Sequence, residues 1–335
     1  MWAGSARSDP HPLMATYALR RLLLAIPVLL IGSFLCFAAV RLTFDPTARL
    51  RTSKDPEVIE RERERLGLND PIPVQYKNWL VNFTTGDWGA SERTRDDTST
   101  MIKSALGYTT QLIVWGILVS TIFAVSIGVF SAVKQYSVPD YTFTALSFVG
   151  LAMPPFVFGL LAISIFAVGP VEWWGWDEPP LYFVNLHSAG ESGINADYLR
   201  HLVLPVATLT VQIIASWSRF QRASMLDVLN SDYVRTARAK GVPRRKVIFK
   251  HALRNALIPL VTVMAVDIGL LFGGLIITEY IFSIPGMGRL FYDSLLYGDA
   301  TTLTAWMVVT AMFVILFNLL ADIMYGVLDP RIRLS

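Results

Sequence analysis

The sequence predicts an all-α, polytopic membrane protein with about six transmembrane helices. Three observations carry this. The 335 residues are 53% hydrophobic and only 16% charged, against about 25% charged in soluble domains. The apolar residues gather in runs of the roughly 20 residues needed to cross a bilayer. The basic residues are divided unevenly between the segments that join those runs, as the positive-inside rule requires.

The runs place spans at Leu22–Val40, Thr110–Ala132, Thr142–Val168, Leu202–Trp217, Leu257–Ile281 and Leu303–Val327. The fourth is short, so its ends are the least defined. Arg20 and Arg21 precede the first run as they would in a signal peptide, but the run is too long. Arg41-Leu-Thr-Phe-Asp-Pro46 is also no small-residue cleavage site, so it reads as a retained span. Met14 is a second candidate start, which leaves residues 1–13 as an extension. Cys36 is the single cysteine and lies inside a predicted span, so no intrachain disulfide can form.

With the N-terminus inside, sixteen Lys and Arg fall on the inner segments, while the outer loops 169–201 and 282–302 hold one each, Arg200 and Arg289. The first outer segment, 41–109, holds eleven basic and eleven acidic residues. Long balanced segments cross largely regardless of charge. The expected organisation is a cytoplasmic tail (1–21), a first transmembrane helix (22–40), an extracytoplasmic region (41–109), a transmembrane core (110–327) with a cytoplasmic loop at 218–256, and a cytoplasmic C-terminal tail (328–335).

Within 41–109, Asp55–Gly67 predicts a short helix, with Pro56 at its start, Gly67 past its end and Glu/Arg pairs at helical spacing. A second helix follows Asp70-Pro71, with Val74, Trp79 and Leu80 free to rest on the membrane. The loop 170–200 carries Trp173, Trp174, Trp176, Tyr182 and Tyr198. These fit an interfacial aromatic belt, or else a docking surface for an outer partner.

The most patterned stretch is Ser231–Pro259. Ser231 and Asp232 suit a helix start, Gly241 a left-handed stop, and Pro243 the first turn of another helix. The result is a helix, an elbow and a second helix at the inner membrane face. Thr236, Ala237 and Ala239 are small enough to let a partner approach. Tyr233 suits an aromatic anchor, and Arg235, Arg238 and Lys240 suit acidic groups on that partner. The simpler alternative is a basic loop held by anionic lipid, which fits Arg244, Arg245 and Lys246 equally well.

Several residues inside the spans are candidates for a translocation path. Asp267 sits mid-span, where a carboxylate should face the bundle interior or water. It is either a pathway group or a hydrogen-bonded structural acid. Glu279 and Asp322 lie nearer span ends and read as interfacial and structural. Pro154 and Pro155 break the third span, as a hinge or as a packing bend. Gly269, Gly273 and Gly274 allow close helix approach or line a pore. No Gly-x-x-x-x-Gly-Lys-Ser/Thr loop occurs, so ATP binding by that motif is excluded. The four histidines lie in separate segments, so no metal site is expected, and no nucleophile–base pairing appears. Nucleic-acid binding is not expected either. An ion-coupled carrier or channel needs no ATPase and is the competing class.

Arg235-Thr-Ala-x-x-x-Gly241 followed by His251-Ala-Leu-Arg254 resembles the EAA loop of permease subunits in binding-protein-dependent ABC importers. The usual loop reads Glu-Ala-Ala, three residues, Gly, nine residues, then Ile-x-Leu-Pro. Arg235, Thr236 and Arg254 depart from that pattern, in a manner similar to the peptide/nickel branch. Leu66–Tyr76, Gly86-Asp-Trp-Gly89, Thr278–Gly288 and Leu328–Arg333 also resemble that branch, and within it the first of two paired permeases, the OppB/DppB type. The resemblance implies a non-catalytic subunit in the bacterial cytoplasmic membrane. It would form half of a path for peptides, oligopeptides in preference to dipeptides. The implied partners are a second permease (OppC/DppC-like), two cytoplasmic ATPases (OppD/OppF-like) that bind ATP and magnesium, and an extracytoplasmic peptide-binding protein (OppA-like). This chain would bind no cofactor itself. Asp232, Tyr233, Arg235, Thr236, Ala237, Arg238, Lys240 and Gly241 would form the contact with the ATPase.

Overall fold

The computed structural model describes residues 11–45, 47, 56–65, 67–273 and 275–328. The elements, in order, are α1 (His11–Thr43), α2 (Pro56–Arg65), α3 (Ile72–Thr85), α4 (Thr98–Val133), α5 (Val138–Ala152), α6 (Pro155–Ile163) and α7 (Gly169–Trp174). They continue with α8 (Ala196–Leu229), α9 (Asp232–Ala239), α10 (Arg244–Lys246), α11 (Leu253–Leu271), α12 (Ile276–Ile281), α13 (Met287–Tyr297) and α14 (Ala300–Leu328). Wider π-helical turns join α6 to α7 and α10 to α11. Six stretches among the described residues are long and apolar enough to span a membrane: Leu23–Thr43, Thr98–Val133, Pro155–Trp174, Ala196–Leu229, Arg244–Leu271 and Ala300–Met324.

The packing centre is the α4–α8 seam. Gly116, Ser120, Ala124 and Gly128 recur every four residues along α4, and all are buried. Lipid supplies no hydrophobic drive between helices, so association there relies on close van der Waals contact, which small residues permit. A Cβ on Gly116 would stand 2.6 Å from Leu209 Cδ2, and one on Gly128 would stand 2.7 Å from Gln221 Cβ. Trp217 of α8 is buried with Ala124 and Leu260 of α11. On the far side of α11, Phe272 stacks on Phe313 and Phe317 of α14, with centroids 4.6 and 5.1 Å apart.

Three of the expected helix boundaries need correction, and the break expected in the third span is present. The second and fourth spans belong to longer helices, α4 and α8. Their polar starts are held by Asp97, which accepts from Thr100 N–H at 2.8 Å, and by Asn195, which accepts from Tyr198 N–H at 2.8 Å. The hydroxyls of Ser99 and Thr100 hold the Asp97 carboxyl down at about 2. The third span is two helices. Met153 is extended, as a residue before proline prefers, and its carbonyl accepts from Gln212 Nε2 of α8 at 3.1 Å. The fifth span is not continuous to Ile281. It ends at Leu271, where Gly273 N–H turns back to Leu270 O at 3.0 Å, and α12 starts afresh at Ile276. Gly274 lies outside the described residues.

The extracytoplasmic candidates are folded onto the bundle. α2 matches its predicted limits, and Gly67 follows it at φ 61°. Trp79 turns towards α1 instead of the membrane: its ring lies 5.8 Å from Phe37 and stacks on Phe83 at 5.1 Å. Trp173 and Trp174 at the end of α7 and Trp176 just after it are exposed, as a belt would be, whereas Leu186 of the following loop and Tyr198 of α8 are buried in the main core. Asn185 N–H donates to Phe282 O at 2.8 Å and ties that loop down.

Replacing Gly128 with Leu should force α4 and α8 apart, because its side chain would overlap Gln221 and the Ser218 carbonyl, 2.8 Å from the Cβ position. The expected cost is about 1–3 kcal/mol, read as a lower thermal midpoint of the detergent-solubilised protein. An unchanged midpoint would contradict the seam.

Candidate functional site: the basic elbow and its clasps

The predicted docking residues come together on α9 and its cap. Val234 is fully buried, and Ala237 is half-buried on the same side. Tyr233, Arg235, Thr236, Arg238 and Lys240 are exposed. A helix of eight residues is too short to be stable alone, so it depends on its attachments. Val234 provides one. Tyr233 provides another, since its hydroxyl accepts from Asn255 Nδ2 of α11 at 2.8 Å. The third is the elbow: Gly241 N–H donates to Arg238 O at 3.0 Å, and Val242 N–H to Ala237 O at 3.2 Å. This pattern is a Schellman cap, with Gly241 in the left-handed region at φ 73°. Pro243 then opens α10, and the chain runs through the π-turn directly into α11.

One expectation is corrected here. Ser231 occupies the N-cap position, but its hydroxyl does not cap α9. It donates to Val228 O at 2.6 Å, back into α8. That bond fixes the α8–α9 junction. Asp232 lies in the first turn, where its charge suits the helix dipole. It sits 3.9 Å from Arg235, in an exposed pair worth little. α9 is therefore clasped at both ends to helices that cross the bundle, and its polar face is left open.

Sequence reading missed two polar clasps. Asp140, almost fully buried at the start of α5, accepts from both Nε and one terminal nitrogen of Arg222 of α8, each at 2.9 Å. It also accepts from Tyr136 N–H at 3.0 Å. The Arg222 hydrogen bonds hold the Asp140 carboxyl below its usual range against the opposing effect of burial. The residues stand 82 apart in sequence, so spacing gave no signal. The second clasp is Glu279 of α12, which reads from sequence as a structural acid and proves fully buried. It accepts from Thr109 Oγ1 at 2.6 Å, Gly288 N–H at 2.7 Å and Arg289 N–H at 3.0 Å. It thus caps the first turn of α13 and binds α4 to the α12–α13 turn. A Cβ on Gly286 would overlap the Glu279 carboxylate, and one on Gly288 would lie 2.5 Å from Ile276 N. The two glycines of Pro285-Gly-Met-Gly288 leave room for that carboxylate.

A related knot holds 41–109 to the last span. Asp299 and Glu92 receive the first N–H groups of α14: Thr302 N–H at 3.1 Å and Ala300 N–H at 3.1 Å. Ser91 Oγ donates to Asp299, and Arg41 lies 3.6 Å from Glu92. Burial pushes the Glu92 carboxyl up, while Arg41 opposes the shift. Gly89 of Gly86-Asp-Trp-Gly89, at φ 78°, sits against Thr301 of α14.

Pro154 and Pro155 mark the α5–α6 break, and Gly273 closes α11. Asp267 accepts from Trp217 Nε1 at 2.7 Å, which ties α11 to α8.

Six stretches long and apolar enough to span a membrane, with a short clasped helix on a basic loop, are the features of a multi-pass membrane protein. The chain matches the model of the binding-protein-dependent transport system inner membrane component over residues 124–334, and that of the family's N-terminal segment over 14–127. It is 38% identical over 330 residues to the oligopeptide transport system permease protein AppB of Bacillus subtilis, covering 96% of this chain and all of that one. It is 38% identical to the dipeptide transport system permease protein DppB of Alkalihalophilus pseudofirmus, over 96% of this chain and all of the relative. It is 39% identical to the glutathione transport system permease protein GsiC of Pectobacterium atrosepticum, over 96% and 99%. The chain belongs to the family of inner-membrane permease components of binding-protein-dependent ABC importers. It is a multi-pass membrane protein and a non-catalytic subunit, whose family works with a partner permease, ATPases and a binding protein.

Asp140→Asn should leave the partly exposed Arg222 without its charge partner and cost about 1.5–3 kcal/mol. Because the folded-state carboxyl titrates below its usual value, its contribution is present above about pH 4 and fades as pH falls through the lower folded value. Thermal midpoints measured between neutral and acid pH should show the wild-type advantage over the Asn variant shrinking on acidification. A constant gap would contradict the clasp.

Proposed function

We propose that this chain is the first of two paired permeases in an ATP-driven peptide importer, and that it moves oligopeptides in preference to dipeptides. Its basic end, with both termini, faces the cytoplasm. The partners are an OppC/DppC-like permease, two OppD/OppF-like ATPases that bind ATP and magnesium, and an OppA-like peptide-binding protein on the other side. The regions are those expected from sequence, an extracytoplasmic segment at 41–109 and a transmembrane core at 110–327, except that α8 continues to Leu229 through the first part of the cytoplasmic loop expected at 218–256.

The single observation that carries the reading is α9. Its buried Val234, the Tyr233–Asn255 bond and the Gly241 elbow make it a rigid handle on α8 and α11. Its exposed face offers Arg235, Thr236, Arg238 and Lys240 to an ATPase cleft. When two ATPases close on ATP, a handle so joined transmits displacement to the spans instead of bending. A lipid-bound basic loop would need neither the elbow nor the clasps. The names of the relatives support peptide-type cargo, since two are called oligopeptide and dipeptide permeases and a third a glutathione permease.

Gly241→Val should uncouple ATP hydrolysis from uptake. A β-branched residue resists φ 73°, although no neighbour lies within 4 Å of its Cβ position. The assembled importer in proteoliposomes should keep its ATPase subunits and lose most peptide uptake per ATP hydrolysed. Normal uptake per ATP would contradict the coupling assignment, and gradient-driven flux through this chain alone would contradict the importer.

A further inference from the structure

A groove of about 490 Å³ runs between α5 and α8, lined by Thr144, Phe148 and Leu151 on one side and Ser216, Arg219 and Arg222 on the other. Its two arginines differ. Arg222 is neutralised by the bidentate Asp140. Arg219 is exposed, and among the described residues no carboxylate lies within ion-pair distance of it. Its guanidinium carbon lies 4.5 Å from the centre of the Phe148 ring.

The direction of Arg219 separates it from an interfacial arginine. α5 and α8 run antiparallel, and the Asp140–Arg222 pair sets their register. Phe148 lies eight residues, about 12 Å, further along α5 than Asp140. Ser147 and Ser218 stand level, their hydroxyls 3.5 Å apart, so Arg219 lies about level with Phe148 and leans towards it, away from the basic end. An arginine seeking lipid headgroups would extend the other way. A charge held at that depth faces water or a polar partner, not acyl chains. Thr144 and Ser216 add hydroxyls to the same groove, and the broken helix at Met153-Pro154 lies just beyond Leu151.

We propose that Arg219 is a substrate-binding residue: the α5–α8 groove receives the C-terminal carboxylate of a peptide in transit. The inference rests on the peptide-importer reading and names the chemistry recognised within it. Every linear peptide with a free C-terminus carries one carboxylate, and a guanidinium with open donors binds that group in a fork. Phe148 holds the guanidinium plane in place, and Asp140 prevents Arg222 from competing for the anion. The face of Leu151 accommodates an apolar side chain next to the bound end.

The test uses the complete importer in proteoliposomes with its binding protein and ATP. Uptake of radiolabelled tetra-alanine is compared with uptake of its C-terminal amide, for wild type, Arg219→Gln and Arg219→Lys. The proposal expects the Gln variant to lower free-acid uptake at subsaturating peptide by about tenfold, leave the amide unchanged and so lose the wild-type preference. The Lys variant should restore part of it. The binding protein is the same throughout, so a changed preference belongs to the permease. Equal loss of both peptides, or loss of the second permease on purification, would overturn the proposal and assign Arg219 to an acid on that partner. No change in either peptide would also overturn it. A wild-type importer that moves neither peptide would instead contradict the peptide reading itself.

Discussion

The structure depends on one constraint: two helices that must touch in a solvent as apolar as their own side chains. α4 meets it with Gly116, Ser120, Ala124 and Gly128 at four-residue spacing, which lets α8 approach to backbone contact. With α8 held there, its other faces become a fixed rack of polar anchors. Gln212 holds the Met153 carbonyl, Trp217 binds Asp267, and Arg222 binds Asp140. Two of these anchors tie α5 and one ties α11 to the same column. The last turn of α8 then passes into α9 through the Ser231–Val228 bond. A displacement applied to α9 reaches α8 and, through Tyr233 and the elbow, α11.

The two ends of the bundle use different chemistry. At the basic end the critical bonds involve charged or aromatic side chains and leave one polar face unoccupied. At the other end, carboxylates cap helix starts: Glu279 for α13, Asp299 and Glu92 for α14, and Asp97 for α4. Orphan N–H groups at a helix start are costly when buried, and an acidic side chain both accepts from them and suits the local dipole. Of the segments that resembled family motifs, Thr278–Gly288 supplies the Glu279 cap and Gly86–Gly89 packs Gly89 against Thr301 at the start of α14. Their glycines serve the carboxylates and the close contacts around them.

How far the sequence disclosed this follows from the range of each interaction. The helix–elbow–helix plan was legible because Gly241 and Pro243 act locally. The break at Met153-Pro154 was legible for the same reason, as were the limits of α2. The end of α11 at Leu271 was not, because the residues around it, 268–277, carry no polar side chain. The Asp140–Arg222 pair and the Thr109–Glu279 bond span 82 and 170 residues, beyond any periodic signal. Ser231 misled because a hydroxyl at a helix start suits both the following helix and the preceding one. The four-residue repeat of small residues in α4 was present in the sequence and would have identified the seam.

The central claim is that α9 and α11 move as one body. Its most direct measurement is the distance between spin labels on Arg238→Cys in α9 and Leu270→Cys in α11, in a Cys36→Ser background. The assembled importer would be compared in its nucleotide-free, ATP-trapped and ADP states. The account predicts a narrow distance distribution that does not change among the three states. A distribution that shifts or broadens when ATP is trapped would show that the elbow bends, and would contradict the account.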